Sequence, residues 1–223
     1  MKAGQLNISE IFHSIQGESS FAGWPCAFIR LAGCGHGCRS CDTTYADKSG
    51  RLLEIEEIIK SALAFQAPFV EITGGEPLLQ PAVHSLMQQL CDLGQQVLLE
   101  TGGFLSVAEV DRRVHKIIDI KPPSSGVSLQ NNPDNIRLAL EASPPHRSTF
   151  EFKVVVADRE DYDWAKSLLL ESGLMDSFTV MMGVAFGELE PRELAEWLLS
   201  DRLHARMQLQ LHQYIWHPGT RGV

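Results

Sequence analysis

Segments typical of β-strands alternate with segments typical of helices along most of this chain, and this alternation limits the folds that it can adopt. Short apolar runs at 69–73 and 96–101 favour strands, whereas 54–65 and 81–94 place apolar residues at helical spacing, with Gly94 ending the second helix. Repeated strand–helix–strand units form largely parallel sheets with right-handed crossovers. We therefore predict an α/β fold with mostly parallel strands, in which ligands bind at the carboxyl ends of the strands.

The predicted elements follow one another through nearly the whole chain. Strands are expected at 26–33, 69–73, 96–101, near 115–120, and at 150–156, 177–182 and 206–211. Helices are expected at 54–65, 81–94, near 132–142, and at 160–172 and 191–200. The sequence shows no internal repeat or linker, so we predict a single domain over residues 1–223. The Pro- and Ser-rich stretch 121–134 is the longest polar interruption, and loops of this length are commonly functional or disordered.

Composition and charge argue against several classes of function. The net charge is -9 and no run of Lys or Arg occurs, which argues against nucleic acid as the main partner. No apolar stretch reaches the length of a membrane helix, and residues 1–10 lack the pattern of a signal peptide. We therefore expect a cytoplasmic protein without membrane contact, whose thiols stay reduced. Two of the five cysteines, Cys26 and Cys91, lie in apolar stretches and are interpreted as core residues.

The other three cysteines form a C-x3-C-x2-C motif: Cys34, Cys38 and Cys41, with glycines between them. Glycine lets a short loop fold around a compact group, and thiolates are ligands for zinc, copper(I) and iron–sulfur clusters. A four-iron cluster held by only three thiolates keeps one iron open for a small molecule. A zinc ion completed by His36 or Asp42 is the alternative, although we interpret His36 as an exposed loop residue.

Four polar loops follow predicted strands, and each has a distinctive sequence. The cysteines come after 26–33, TGGEP (73–77) after 69–72, ETGG after 96–99, and KPPSS (121–125) after 115–120. Because the carboxyl ends of parallel strands meet at one edge of a sheet, these loops are expected to build a single site. The adjacent glycines of TGGEP expose backbone groups to a ligand and Glu76 adds a charge, although a tight strand-to-helix turn would explain them equally.

The cysteine motif, with a GGEP loop after the next strand, resembles the radical S-adenosylmethionine (SAM) superfamily. This resemblance implies a truncated, partial (β/α) barrel, a 4Fe–4S cluster on the three cysteines, and SAM bound to the open iron through its amino and carboxylate groups. It also implies that an electron from the cluster cleaves the SAM sulfonium to a 5′-deoxyadenosyl radical. The SAM-binding residues that it implies are Ser40, Cys41, Asp42, Gly74, Gly75, Glu76, Asp119, Ile120, Lys121 and Met181.

Further segments resemble the 7-carboxy-7-deazaguanine synthases within that superfamily. They are 10–34, which contains Q-G-E and an Arg before the first cysteine, CDT at 41–43, KPPSS at 121–125, and the ending 211–223. The resemblance implies ring contraction of 6-carboxy-5,6,7,8-tetrahydropterin to the deazapurine that leads to queuosine, with release of ammonia. It also implies a magnesium ion on the substrate carboxylate, with Thr43 as its matching ligand. A homodimer and an electron donor such as flavodoxin or ferredoxin are further implications.

The same resemblance assigns substrate contacts and implies no catalytic group beyond the cluster and SAM. Arg30 has the two-donor fork that holds a carboxylate. His212 lies in a predicted apolar strand, where a core histidine is the ordinary interpretation, and Val223 ends the chain, where a frayed tail is the alternative. The substrate-binding residues implied are Ile15, Gln16, Gly17, Arg30, Thr73, Glu100, His212 and Val223.

Four positions depart from the pattern of that family. Ser19 stands where relatives have Gly, Ser40 replaces an aromatic residue, Asp119–Ile120 replaces Ser-Pro, and Met181–Met182 replaces a stretch that often contains Gln. These changes place the contacts to the SAM ribose and the substrate preference in question. Two other functions remain open at this point. One is a glycyl-radical-enzyme activase, which would act on a large protein partner, and the other is a zinc-stabilised binding module.

Overall fold

The computed structural model describes residues 4–47, 50–217 and 219–223. Its strands are β1 (Gln5–Ile15), β2 (Pro25–Leu31), β3 (Arg51–Glu54), β4 (Phe69–Gly74), β5 (Gln96–Thr101), β6 (His115–Asp119), β7 (Phe150–Val156), β8 (Thr179–Val184) and β9 (Arg206–Met207). Its α-helices are α1 (Ile55–Leu63), α2 (Val83–Asp92), α3 (Pro133–Glu141), α4 (Pro144–Arg147), α5 (Arg159–Ser172), α6 (Leu174–Ser177), α7 (Pro191–Asp201) and α8 (His212–Ile215). Short 3-10 turns occupy Thr44–Asp47, Pro77–Leu79, Pro123–Ser125 and Ser128–Gln130.

The strands form one sheet in the order β3-β1-β2-β4-β5-β6-β7-β8-β9. Strands β2 and β4 to β9 run parallel to one another, whereas β1 is antiparallel to both β2 and β3. Within the described ranges the two outer strands, β3 and β9, do not pair with each other, so the sheet is open. This architecture confirms the predicted α/β fold, a partial barrel with mostly parallel strands.

The two faces of the sheet differ in what they carry, because successive strand residues point to opposite faces. One face, called here the helix face, contributes Val70, Ile72 and Leu99 to the main hydrophobic core with the helices. The opposite face, called here the site face, begins with a smaller apolar cluster: Phe12, Cys26, Phe28, Phe69, Leu98 and Ile117. Two positions further along the strands, the site face becomes polar: Arg30, Glu71, Thr73, Glu100, Asp119 and Lys153.

Most predicted elements agree with the structure, and Cys26 and Cys91 are buried as predicted. Strands β1 and β3 are absent from the prediction. Strand β1 shows period-two burial at Leu6 and Ile8, but a register shift between Ile8 and Glu10 interrupts the alternation, which weakens the strand signal. None of the helices in the described ranges is both long and apolar enough to cross a membrane.

The predicted strand 206–211 is wrong beyond its second residue. Only Arg206–Met207 pairs with β8, and the next backbone amide, that of Gln208, still donates to the Met182 carbonyl at 2.9 Å. The chain then leaves the sheet because the Leu211 amide donates to the Gly17 carbonyl at 3.0 Å. His212 consequently begins α8 and does not lie in an apolar strand.

Candidate active site

The cysteine loop, residues 32–47, leaves β2 at its carboxyl end. Cys34 and Cys38 are partly buried, Cys41 is exposed, and all three are free thiols. Burial raises the pKa of Cys38, Lys121 opposes that rise, and Asp119, Cys41 and Cys34 add to it. Bound iron would stabilise the thiolate that burial and the nearby negative charges disfavour. This donor set fits an iron–sulfur cluster with three protein ligands.

His36, a candidate zinc ligand, is not the exposed loop residue that the sequence suggests. It is buried, its ring packs edge-on against Phe104 with centroids 3.5 Å apart, and its Nδ1 lies 3.1 Å from Oε1 of Gln130. His36 thus ties the cysteine loop to two other loops. Over the described ranges, no three His, Cys, Asp or Glu side chains converge tightly enough to hold a single metal ion.

The GGEP loop, residues 74–77, is joined directly to the cysteine loop. The amide of Gly75 donates to the Leu31 carbonyl at 3.2 Å, and the amide of Glu76 donates to the Gly33 carbonyl at 2.9 Å. A Cβ atom on Gly75 would lie 2.6 Å from Cβ of Cys34, so only glycine fits this approach. The two motifs that are separate in sequence therefore form one continuous surface.

Glu76 uses its side chain to shape this surface. Its carboxylate is fully buried and accepts hydrogen bonds from the Leu78 amide (3.0 Å), the Thr101 hydroxyl (2.9 Å) and the Gly102 amide (2.8 Å). Burial raises the pKa of Glu76, and these hydrogen bonds oppose that rise. The side chain thus joins the GGEP loop to the ETGG loop after β5, which leaves the glycine backbone to face a ligand.

The KPPSS loop after β6 completes the set of four loops. The Arg39 amide donates to the Ser125 carbonyl at 3.0 Å, and its Nε donates to the Ser124 carbonyl at 2.9 Å, which places exposed Ser40 beside this loop. Asp119 bonds Nζ of Lys121 through Oδ2 at 2.6 Å. Its other oxygen, Oδ1, is buried without a hydrogen-bond partner among the described residues. A buried acceptor without a donor fits the hydroxyl or amino groups of SAM.

Asp42 and Thr43 lie where the cysteine loop meets the C-terminal segment. The Thr43 hydroxyl donates to Oδ1 of Asp42 at 2.8 Å, and Nε2 of His212 lies 3.4 Å from Oδ2. Burial alone would raise the pKa of Asp42, but the hydrogen bonds from His212 and Thr43 outweigh it and hold that pKa well below its usual range. The pKa of His212 is raised, since Asp42 outweighs the effect of burial. Each of the two side chains therefore favours the charged form of the other.

The C-terminal segment, described at residues 208–217 and 219–223, packs against the turn after β1. The amide of Leu211 donates to the Gly17 carbonyl at 3.0 Å, and a Cβ atom built on Gly17 would lie 2.6 Å from Nδ1 of His212. At the end of the chain Val223 is partly buried, and the preceding Gly222 lies beside Phe12 of the site face. Residues far apart in sequence thus close over the same edge of the sheet.

Gly17→Ala is expected to displace the His212 ring. If that ring contacts the substrate, as the family resemblance implies, kcat/KM should fall by about 10- to 100-fold, because misplacing a binding group by an ångström has an effect of this size. Steady-state kinetics of the variant would measure this loss. In a His212→Ala background the same substitution should cost far less, since the clashing ring is gone. Equal losses in both backgrounds would contradict this account.

Arg30 is held by two residues that sequence reasoning missed. Its Nε donates to Oε1 of Glu10 at 2.9 Å, and the Tyr45 hydroxyl donates to the same oxygen at 2.6 Å. The guanidinium also lies 5.5 Å from the centroid of the Phe12 ring. Among the described residues Glu10 engages only Nε, so the terminal nitrogens can bind a carboxylate on a ligand.

Lys153, also missed, is the buried cation of the site face. Its Nζ bonds Glu100, lies 2.7 Å from Oε2 of Glu18, and lies 3.8 Å from Oδ2 of Asp119. Burial alone would lower the pKa of Lys153, but these carboxylates, Glu100 foremost, outweigh it and raise that pKa. Thr73 joins the group through a 3.3 Å hydrogen bond from its hydroxyl to Glu100.

Three of the predicted site residues take more peripheral positions. Ile120 directs its side chain into the main hydrophobic core, so only its backbone is available to a ligand. Met181 is buried opposite Lys153 in the pairing of β7 with β8. Ile15, at the end of β1, pairs with Pro25 and is partly buried.

Ser19 shows why glycine suits its position in the family pattern. Its φ of +66° lies in the left-handed region, and the residue is fully buried. Its amide donates to Oε1 of Gln208 at 2.6 Å, and Nε2 of Gln208 donates to its carbonyl at 2.8 Å. These two bonds hold the serine in a conformation that glycine would adopt without strain.

Comparison with known proteins agrees with this arrangement of fold and loops. The family model described as the radical SAM superfamily matches residues 28–198. The crystal structure of QueE from Escherichia coli aligns with a TM-score of 0.68 at 22% sequence identity, over 92% of this chain and 94% of that chain. The fold, the cysteine loop and the GGEP loop thus define a radical SAM enzyme.

Relatives with higher sequence identity show which family of radical SAM enzymes the chain belongs to. The 7-carboxy-7-deazaguanine synthase of Chlorobaculum tepidum is 62% identical over 98% of this chain and 97% of its own length. The synthase of the same name from Koribacter versatilis is 39% identical over 98% of this chain and 100% of its length. The chain belongs to the 7-carboxy-7-deazaguanine synthase family. This membership decides against both the glycyl-radical-enzyme activase and the zinc-stabilised module.

Proposed function

We propose that this chain converts 6-carboxy-5,6,7,8-tetrahydropterin to 7-carboxy-7-deazaguanine with loss of ammonia, in the biosynthesis of queuosine and related 7-deazapurines. The observation that carries this proposal is the 62% identity to a synthase of that name over nearly the full length of both chains. The geometry supports it, since the four loops and the C-terminal segment meet above the polar part of the site face.

Cys34, Cys38 and Cys41 hold the 4Fe–4S cluster in this proposal, and the loops around it hold SAM. When bound, the cluster and SAM supply the one-electron chemistry that removes a hydrogen atom from the substrate. The protein positions SAM and excludes water. SAM is oriented by the glycine backbone of the GGEP loop, by Lys121 and by the unpaired oxygen of Asp119. The apolar cluster of the site face keeps water out.

The substrate lies over the polar end of the site face. Arg30, fixed by Glu10 and Tyr45, binds its carboxylate as a two-donor fork. Gln16 and Glu100 hydrogen-bond the edge of the pterin ring, and Thr73 supports Glu100. Ile15 and Gly17 contribute backbone contacts, whereas His212 and the carboxylate of Val223 close the site from the C-terminal side. No protein side chain transfers hydrogen in this scheme.

Thr43 is the proposed ligand for a magnesium ion that also binds the substrate carboxylate. Its hydroxyl oxygen is a hard donor suited to Mg²⁺, and the ionised carboxylate of Asp42 next to it favours a cation nearby. Magnesium also keeps several waters of its own, so one protein oxygen together with substrate oxygens is a sufficient anchor.

The proposal extends to the setting of the reaction. The chain acts as a single domain over residues 1–223, since the described strands all belong to one sheet. It works as a homodimer in the cytoplasm, where a flavodoxin or ferredoxin supplies the electron to the cluster. The exposure of Cys41 and the partial exposure of Cys34 and Cys38 support access of such a protein donor to the cluster.

The test is turnover by the reconstituted protein. Iron and sulfide are restored without oxygen, and SAM, magnesium, dithionite and 6-carboxy-5,6,7,8-tetrahydropterin are added. Mass spectrometry should detect 7-carboxy-7-deazaguanine. Cleavage of SAM without that product would show that the substrate is wrong, and failure to cleave SAM would overturn the cofactor assignment as well.

A further inference from the structure

Glu71 is a buried acid that the proposed reaction leaves without a role. It lies in the middle of β4 on the site face, with only 1% of its surface exposed. Its neighbours in the sheet register are Phe28 of β2 and Leu98 of β5, both apolar. An ionised carboxylate without partners is strongly unfavourable in such surroundings, so Glu71 requires specific partners.

The partners of Glu71 form a series of hydrogen bonds that leads through the turn after β1 to Glu100. Nε2 of Gln16 donates to Oε2 of Glu71, and Oε1 of Gln16 accepts from the amide of Glu18 at 2.9 Å. Lys153 joins Glu18, at 2.7 Å, to Glu100. Glu100 lies on the same face of the sheet, two residues beyond Leu98, the β5 partner of Glu71, and its charge acts on Glu71. Four parts of the chain thus meet here: the turn after β1 and the strands β4, β5 and β7.

This geometry sets the protonation of Glu71. Two carboxyl groups can share a hydrogen bond only when one of them carries a proton. Lys153 donates to Glu100 and not to Glu71, so Glu100 is the ionised member of the pair. Burial raises the pKa of Glu71, and the charge of Glu100 raises it further, whereas Lys153 opposes them. The other titratable groups facing Glu71 are Glu18 and, from β2, the thiol of Cys26.

We propose that Glu71 is a positioning residue: a protonated carboxylic acid that donates to Glu100 and accepts from Gln16, and thereby fixes both side chains for the substrate. This inference rests on the proposed function, in which Gln16 and Glu100 bind the pterin. Without Glu71 the amide of Gln16 loses an acceptor and can rotate, and Glu100 is left with Lys153 and Thr73 as its donors. The acid acts through these two residues and does not touch the substrate.

Two substitutions separate a protonated acid from an ionised one. Glu71→Gln keeps a neutral donor and an acceptor in the same shape, so kcat/KM should stay within about threefold of wild type. Glu71→Leu removes both hydrogen bonds, and kcat/KM should fall about 100-fold, mainly through KM for the pterin. Iron content and SAM affinity should be unchanged in both variants. If Glu71→Gln is as impaired as Glu71→Leu, the neutral acid is excluded.

Infrared difference spectroscopy reads the proton directly, without substrate. The spectrum of wild type minus Glu71→Gln should show the C=O stretch of a protonated carboxylic acid at neutral pH. Glu151→Gln is the matched control: Glu151 is equally buried, but it accepts from Ser20 and its pKa is lowered, so it is ionised and should contribute no such band. Absence of the band for Glu71 overturns the inference. Because this readout needs no turnover, it decides the inference even if the pterin proves not to be the substrate.

Discussion

Replacing Cys38 with alanine is expected to abolish both cluster assembly and SAM cleavage. Cys38 is one of the three thiolates of the cysteine loop that are available to four irons. It is partly buried, and Lys121 is one of its charged neighbours. A cluster with two remaining protein ligands loses the arrangement in which a single open iron faces SAM. Iron content, visible absorbance after reconstitution, and chromatography of SAM cleavage products measure the effect.

Cys91→Ala provides the matched control for this prediction. Cys91 is a buried free thiol of α2 on the helix face, and it packs in the main hydrophobic core. Its loss should lower stability slightly, as removal of a small core side chain does, and leave iron content and SAM cleavage intact. Retention of the cluster and of SAM cleavage by Cys38→Ala would refute the assignment of the cysteine loop.

The loops around the cluster can be predicted from sequence because each of them is contiguous. The cysteine spacing and the adjacent glycines of GGEP are visible directly, and the strand before each loop places them at one edge. The structure adds the contacts between these loops, which the spacing of the motifs does not predict. The carboxylate of Glu76 accepts hydrogen bonds from Thr101 and Gly102, and the ring of His36 hydrogen-bonds Gln130 across the site. These contacts depend on which loops become neighbours, and a single sequence does not state that.

The network around Lys153 escapes sequence reasoning for a related reason. Glu71, Glu100 and Lys153 come from three strands and meet through the register of the sheet, and Glu18 joins them from the turn after β1. A signal does exist, because strands of a parallel sheet are apolar on both faces and a charge inside one is costly unless paired. FVEIT and FEFKVVV both carry such charges. Period-two alternation assigns them to the site face, but the pairing partners follow only from the order of the strands.

The C-terminal segment was misassigned because its hydrogen bonds are tertiary. The run 206–211 alternates like a strand, yet only its first two residues pair with β8, and the Gln208 amide makes the last hydrogen bond to that strand. The side chain of Gln208 bonds Ser19, and the Leu211 amide bonds the Gly17 carbonyl. Contacts to the turn after β1 thus override a local β preference, which is weak for short segments. The resemblance to the family predicts His212 as a substrate contact, whereas periodicity predicts a core residue. The structure places His212 beside Asp42.

Lys153→Met is expected to destabilise the protein by about 3–5 kcal/mol, because removing one partner of a buried ion pair leaves the other charges unpaired. The lysine side chain is 8% exposed and bonds Glu100 and Glu18, with Asp119 close by. Methionine keeps the shape of the chain but supplies no charge. Urea unfolding followed by circular dichroism measures the change in the free energy of unfolding.

Lys166→Met is the matched control, since it breaks a pair that is exposed to solvent. Lys166 lies 2.9 Å from Asp201 with 32% of its side chain exposed, and its loss should cost less than about 1 kcal/mol. A second variant tests the cause. Adding Glu100→Gln to Lys153→Met removes one unpaired buried carboxylate, and the free energy of unfolding should recover by about 1–2 kcal/mol. If the double variant is less stable than Lys153→Met, the loss does not come from unpaired carboxylates.

At acid pH the free energies of unfolding of wild type and Lys153→Met should become more similar. Burial alone would raise the pKa of Glu100, but the charge and hydrogen bond of Lys153 outweigh it and lower that pKa from its ordinary 4.5 to about 2. A carboxyl group whose pKa is lower in the folded state stabilises the fold above its ordinary pKa, and that stabilisation is lost as the pH falls through the folded value. Wild type therefore loses this contribution as the pH drops from 4.5 towards 2. In Lys153→Met the same carboxyl is buried without its cation, so its pKa rises and protonation relieves the unpaired charge. The difference in unfolding free energy should shrink as the pH falls through the raised pKa of Glu100 in the variant, and shrink further between 4.5 and about 2, whereas a constant difference would mean that lost packing, and not charge, is what the substitution removes.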